Sequence, residues 1–283
     1  MLSDRVVDHL LGVIDAPDLS ATRYQLVEEV GRGGMGIVYL VHDSTLGRNV
    51  ALKVLNDPGE ARTLASLEHP GIVPVHEVGT LPDGRTYYAM KFVEGTRLDA
   101  YQASAPSLAD RLRTFLRVCE PVAFAHSRGV IHRDLKPENI IIGAFGEVLV
   151  LDWGIASNLD GLASTIAGTN GYMAPEQLTG RTSAQTDVFS LGKLLQYLLL
   201  PTDPKPLCAI AAKASNTDLA LRFPSVLDLA HDIELFLDGQ PVTAYSESLL
   251  ECVKRLISRH KTLTVLILTY IAARTVIFFF TRR

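Results

Sequence analysis

Between Tyr24 and Val93 the apolar positions fall in short β-branched and aromatic runs: Tyr24 to Val30, Ile37 to Asp43, Asn49 to Leu55, Ile72 to Val78 and Thr86 to Val93. Runs of that texture predict strands, and the punctuation at Gly31 to Gly36 and Ser44 to Arg48 predicts an antiparallel meander. One helical patch interrupts it. Asp57 can cap, Glu60 can close a capping box, and Ala61 to Leu67 reads as a short helix ended by His69-Pro70-Gly71. The period then changes: Leu108 to Arg128, Val188 to Leu200 and Val226 to Leu237 repeat their apolar residues at helical spacing, with a loop-rich stretch from Ile131 to Gln177 between. Strands followed by helices predict an α+β chain of two lobes, about 24–93 and 94–240. Ahead of them, residues 1–23 read as a short helix carrying Val6, Val7, Leu10, Leu11 and Ile14, then a linker broken at Ala16-Pro17-Asp18.

The far end has a different pattern. Residues 241–261 form a basic segment in which Leu249, Leu250, Val253, Leu256 and Ile257 recur amphipathically beside Lys254, Arg255, Arg259 and Lys261. Two readings stand, a helix on a membrane surface and a helix packed on the second lobe. From Thr262 to Phe280 the chain is almost wholly apolar, long enough at 1.5 Å per residue to cross most of a hydrocarbon core of about 30 Å. Arg274 opposes this by about 3 kcal/mol at a bilayer centre, although near the end of the stretch it can snorkel outward. A buried or partner-docking helix is the competing reading. The basic residues before the stretch outnumber Arg282 and Arg283 after it, so the bias holds the N-terminal side in the cytoplasm, and nothing of size is expected to face outward. The first residues, with Asp4, Asp8 and Asp15, do not resemble a secretory signal.

Composition narrows the partners. The chain has 283 residues, 47% hydrophobic and 20% charged, a globular balance. Lys plus Arg number 27 against 31 Asp plus Glu, a net charge of -4, which argues against nucleic acid as a partner. Cys119, Cys208 and Cys252 lie far apart with no C-x-x-C spacing, so a disulfide framework and a cysteine zinc site are both disfavoured and a reducing compartment is expected.

Gly31-Arg32-Gly33-Gly34-Met35-Gly36-Ile37-Val38 fits G-x-G-x-x-G-x-V, in which missing Cβ atoms let backbone N–H groups approach phosphate. A plain hairpin turn competes for such a match, and so does a dinucleotide site, but the latter needs a helix directly after the glycines and here a β-rich run follows. Lys53, ending Val50-Ala51-Leu52-Lys53, would alone read as a surface charge. His132-Arg133-Asp134-Leu135-Lys136-Pro137-Glu138-Asn139 satisfies every fixed position of H-R-D-L-x-x-x-N. With Asp152-Trp153-Gly154, Ala174-Pro175-Glu176 and Asp187-Val188-Phe189-Ser190-Leu191-Gly192 in order behind it, the chain resembles the protein kinases, specifically the eukaryotic-like Ser/Thr kinases of bacteria, from about Tyr24 to Gly239.

The resemblance implies a bilobal protein-kinase-like fold, with an antiparallel β-sheet N-lobe and a mainly helical C-lobe, to which the apolar stretch adds a C-terminal transmembrane helix. It implies ATP and Mg²⁺, with Mn²⁺ as a substitute, and protein substrates with Ser/Thr acceptors; membrane lipid and a second copy of the chain complete the expected partners. By resemblance Asp134 accepts the proton of the attacking hydroxyl, Lys136 steadies the transferred phosphoryl, Asn139 and Asp152 hold the metal, and Lys53 holds the α- and β-phosphates. Gly31, Gly33 and Gly36 would cover the phosphates; Val38, Ala51 and Ile141 would enclose the adenine, with Met90 as gatekeeper and the Lys91 and Val93 backbones as hinge. Arg222 would pair with Glu176. Arg133 implies control by phosphorylation, with Ser164 and Thr165 as acceptors.

Three features depart from the family. The link from Lys53 to Glu60 is short, so Glu60 serves either as the lysine's ion-pair partner or as the end of a capping box. Trp153 stands for Phe and keeps a large apolar ring. Between Asp187 and Arg222 only a helical run, a turn through Pro201, Pro204 and Pro206, and Leu207 to Ala220 find room, so one or two family helices are expected to be missing. The reading that follows is a membrane-tethered Ser/Thr kinase; a catalytically impaired nucleotide-binding scaffold is the alternative, and a small-molecule kinase is disfavoured by Leu135-Lys136-Pro137.

Overall fold

The computed structural model describes residues 16–33, 36–55, 59–104, 106–153, 157–158, 169, 171–259, 265–266, 269–274 and 277–278. Five antiparallel strands, β1 (Tyr24–Gly33), β2 (Gly36–Asp43), β3 (Arg48–Leu55), β4 (Val75–Thr80) and β5 (Thr86–Lys91), form one sheet in the order β1-β2-β3-β5-β4. Alternation along β3 sorts its side chains to two faces. Val50, Leu52 and Val54 join Tyr39, Val41, Tyr87 and Ala89 in a core on one side. On the other side, Leu55 and Tyr88 meet Leu64 of α1 (Gly59–Ala65) and continue into the core of the second lobe. Lys53 shares that inward face and is 2% exposed. The β1–β2 turn closes with Gly33 opposite Gly36. Gly36 has φ +141°, and a Cβ there would lie 2.1 Å from the Val54 carbonyl oxygen, so β3 itself demands glycine at this position.

The second lobe begins with β6 (Gly95–Arg97), α2 (Leu98–Ala103) and α3 (Leu108–Ser127), the last capped by the Ser107 hydroxyl, which accepts from the Asp110 N–H at 3.2 Å. Two small sheets follow: β7 (Val130–Ile131) with β10 (Ser157–Asn158), and β6 with β8 (Ile140–Gly143) and β9 (Val148–Val150). Helices α4 (Ala184–Leu198), α5 (Lys205–Ala214), α6 (Val226–Leu237) and α7 (Leu249–Arg259) complete it. Phe115 and Val122 of α3 pack with Leu191 and Leu195 of α4, Ile210 of α5 and Ile233 of α6, all fully buried. Each such side chain stabilises the fold by about 1.5–3 kcal/mol.

The proline-rich turn is shorter than the sequence suggests, because Pro206 sits in the first turn of α5, where its missing N–H is not needed. Arg111 of α3, 3% exposed, anchors the turn by donating to both oxygens of Asp203 at 2.7 and 3.1 Å. Between α4 and α5 the backbones approach closely at Gly192, where a Cβ would meet the Ser215 nitrogen at 2.6 Å and the Ala214 carbonyl carbon at 2.8 Å. Gly192→Ala is therefore expected to destabilise the domain by about 1–3 kcal/mol through overpacking, read as a lower denaturant midpoint with an unchanged slope.

The expected N-terminal helix lies outside the described residues, as do nine of the nineteen residues of 262–280. Among the described residues no helix is long and apolar enough to cross a membrane.

Candidate active site

The loop after β7 is held in a strained shape. Arg133 (φ 72°) and Asp152 (φ 57°) are non-glycine residues in the left-handed region, a conformation that costs about 1–3 kcal/mol and persists only where the surroundings enforce it. Asp187 of α4, fully buried, enforces the first: it accepts the N–H of His132 and of Arg133 at 2.8 Å each, and His126 Nε2 lies 2.7 Å from it. Burial works to raise this carboxyl, but the hydrogen bond and charge of His126 and the amide of Arg133 outweigh it and hold the group below its ordinary range. His132 accepts the Asp134 N–H on Nδ1 at 3.2 Å and bonds the Leu151 carbonyl through Nε2 at 2.9 Å, so the proton resides on Nε2. Its ring lies 4.6 Å from that of Trp153, whose indole N–H donates to the Val150 carbonyl at 3.2 Å. The tryptophan thus keeps its ring buried with its polar atom satisfied.

On this frame the loop residues converge. Asp134, 7% exposed, receives the N–H and hydroxyl of Thr169 on Oδ1 at 2.9 and 2.8 Å, and Lys136 Nζ lies 2.8 Å from its Oδ2. Lys136 also donates to the Thr169 hydroxyl at 2.7 Å, and Asn139 Nδ2 donates to the Asp134 carbonyl at 2.9 Å. Across the cleft Lys53 Nζ meets Asp152 Oδ1 at 2.9 Å. Glu60, the ion-pair partner expected for Lys53, lies on α1, with its side chain outside the described residues, as are Ser164 and Thr165.

A cavity of about 170 Å³ opens between the lobes, lined among others by Gly31, Val38, Met90 and Asp152 of the expected set. Tyr88, Val73, Val150 and Trp153 line it as well, and none of them was expected there. Ala51 is buried on β3 opposite Met90, Ile141 packs against Gly95, and the Lys91 N–H donates to the Pro74 carbonyl at 3.2 Å, while half-buried Val93 lies just past β5. At Gly31, which lines this cavity and pairs with Val38 in the sheet, nothing lies within 4 Å of where a Cβ would stand. The donor set suits a hard divalent cation. Asp152 offers a carboxylate that is 45% exposed and Asn139 a neighbouring amide oxygen, two oxygen ligands of the number Mg²⁺ takes from a protein when phosphates and water supply the rest.

The Ala174-Pro175-Glu176 segment is fixed from two sides. Arg222, 3% exposed, donates to both oxygens of Glu176 at 2.7 and 3.2 Å, as the resemblance implied. Gln177, which sequence reasoning passed over, is 2% exposed, accepts the Ala174 N–H at 2.9 Å and donates to the Arg133 carbonyl at 3.0 Å. It joins this segment directly to the strained turn.

A five-stranded antiparallel lobe above a helical one, with a lysine–aspartate pair across the cleft and an Asp-Lys-Asn loop below it, defines the bilobal kinase class. The protein kinase domain family model matches residues 24–262, and the chain belongs to that family. It is 33% identical over 296 residues to the serine/threonine-protein kinase PknD of Protochlamydia amoebophila, covering 77% of this chain and 30% of that protein. It is 32% identical over 295 residues to PknD of Chlamydia felis (77% and 31%) and 33% over 299 residues to PknD of Chlamydia muridarum (77% and 32%). The chain thus spans about a third of the length of these relatives.

Proposed function

We propose that this chain transfers the γ-phosphoryl group of ATP to serine and threonine hydroxyls of proteins, from a position tethered to the cytoplasmic face of a membrane. The observation that carries the chemistry is Thr169, whose hydroxyl lies 2.8 Å from Asp134 Oδ1 and 2.7 Å from Lys136 Nζ. The site thereby holds a threonine-type hydroxyl between a carboxylate and an ammonium. Mg²⁺ and ATP, when bound, supply the phosphoryl group and most of the charge that neutralises it. Asp134 orients the acceptor hydroxyl and takes its proton, Lys136 faces the group in transfer, Lys53 reaches the non-transferred phosphates, and Asn139 and Asp152 would hold the metal. Positioning and electrostatics suffice, because phosphoryl transfer asks little covalent work of the protein.

The test is transfer from γ-labelled ATP, by the full chain in detergent, to itself and to a generic acceptor protein, followed by phosphoamino-acid analysis. Phosphoserine and phosphothreonine are expected. Phosphotyrosine alone would overturn the reading. Bound nucleotide with no transfer would turn it toward a nucleotide-binding scaffold, a second reading favoured by the 2.9 Å contact in which Lys53 engages the Asp152 carboxylate that would otherwise hold the metal. The tether is supported by the hydropathy of 262–280 and the basic residues before it. Carbonate-resistant fractionation with membranes is expected, and recovery in a soluble fraction without detergent would exclude it.

A further inference from the structure

Helix α7 is attached to the kinase domain the wrong way round for a helix of a soluble protein. Its polar side faces the second lobe and the segment that leads from it: Arg255 Nε donates to both oxygens of Glu247 in that segment at 2.9 Å, its Nη1 reaches the Gly239 carbonyl at 3.3 Å, and the Tyr245 hydroxyl donates to Glu251 at 2.9 Å. Ser248 and Glu251 close a capping box at its start, the Ser248 N–H donating to Glu251 at 2.9 Å. Between these contacts and Phe236, Val242 and Pro206 lies a cavity of about 470 Å³, so among the described side chains polar bonds around a hollow hold the helix rather than apolar packing. The apolar residues described in its first turns point outward, with Leu249 88%, Leu250 84% and Val253 54% exposed.

We infer that this outward face of α7 seats the second lobe flat on the lipid surface, with Leu249, Leu250 and Val253 in the interfacial layer. Three observations select lipid as the occupant. Only residues 260–261 separate Arg259 from the apolar stretch at Thr262, a link of no more than about 11 Å, so the end of α7 lies at the point where that stretch would enter the bilayer. Apart from Arg255, which Glu247 neutralises, the helix carries Lys254 and Arg259 against the single acid Glu251, and Lys261 follows, which favours an anionic surface. Finally, the Gly239 contact and that of Tyr245, which packs against the main core, fix α7 to the body of the domain, so the helix cannot enter the membrane without bringing the lobe to it. The bilayer's location rests on the tether reading above, whereas the docking itself makes a separate demand: the kinase is held in one orientation and does not swing on a linker.

The full chain carrying Leu250→Trp, reconstituted in anionic vesicles with brominated acyl chains, tests it. Trp153 is the only native tryptophan and is buried, which leaves it as an internal unquenched reference. Quenching of the new tryptophan is expected, and its loss when Leu249→Glu and Val253→Glu are added, with carbonate resistance retained. Carbonate-resistant protein whose new tryptophan is unquenched would overturn the docking and leave the tether standing. Protein that washes off, yet is quenched whenever vesicles are present, would support the docking and remove the tether. A blue shift that grows with protein concentration and ignores lipid would overturn the inference in favour of a second copy of the chain.

Discussion

Asp134→Asn is expected to lower the rate of phosphoryl transfer by about 10²- to 10⁴-fold, the range for removing a general base, with nucleotide binding retained. The substitution keeps the size of the side chain and one oxygen, so Thr169 can still donate to it. It removes the proton acceptor, and it places an amide N–H₂ where Oδ2 now lies 2.8 Å from Lys136 Nζ and 3.3 Å from Asn139 Nδ2. Donors would then face donors, and Lys136 would lose the carboxylate that orients it. Initial rates at saturating ATP, together with nucleotide affinity by calorimetry, separate the outcomes: a fall in kcat with unchanged affinity is expected. Transfer at the wild-type rate would remove Asp134 from the chemistry.

Much of the lobe organisation was legible because it is written in local periodicity. Val226 to Leu237 is a helix over the residues its spacing marked, and the strand meander follows the apolar runs to within a few residues. Ile72 is an instructive exception: it lies outside β4 and instead bridges Val150 of the second lobe, a pairing that no local pattern encodes. The candidate site was legible where one short loop carries it, from His132 to Asn139. The remainder arises from contacts between distant segments. Asp187 meets the loop from 54 and 55 positions away, and Gln177 meets Arg133 from 44. In isolation a glutamine after Ala-Pro-Glu looks like a surface residue. Tyr88 was the recoverable miss, since it stands two positions from Met90 on β5 and alternation puts both on the cleft face.

Those distant contacts give one element control over both lobes of the cleft. Asp187 fixes the Arg133 turn; His132, on that turn, bonds Leu151 and packs at a tilt against Trp153; and Asp152, lying between those two residues, meets Lys53 of the upper lobe. A continuous series of packed and hydrogen-bonded groups therefore connects Asp187 to Lys53.

Asp187→Asn is accordingly expected to destabilise the domain by about 3–5 kcal/mol, the cost of breaking a buried charged network, against a total of about 5–15 kcal/mol for a domain. Asparagine has one acceptor oxygen where the carboxylate uses two, so one of the His132 and Arg133 amides must face an N–H₂ group inside the core. The pH dependence identifies the mechanism. The folded-state pKa of Asp187 lies below its ordinary value of 3.8, so its contribution is fully present above the unfolded-state pKa and is lost as pH falls through the folded value. The stability gap between wild type and variant, measured by denaturant titration, should narrow below about pH 5 as the wild-type carboxylate takes up its proton. Other carboxyls, Asp43 and Asp203 among them, are also held low, but they titrate equally in both proteins and cancel in the difference. A gap that stays constant into the acid range would assign the loss to packing at α4 and not to the charge of Asp187.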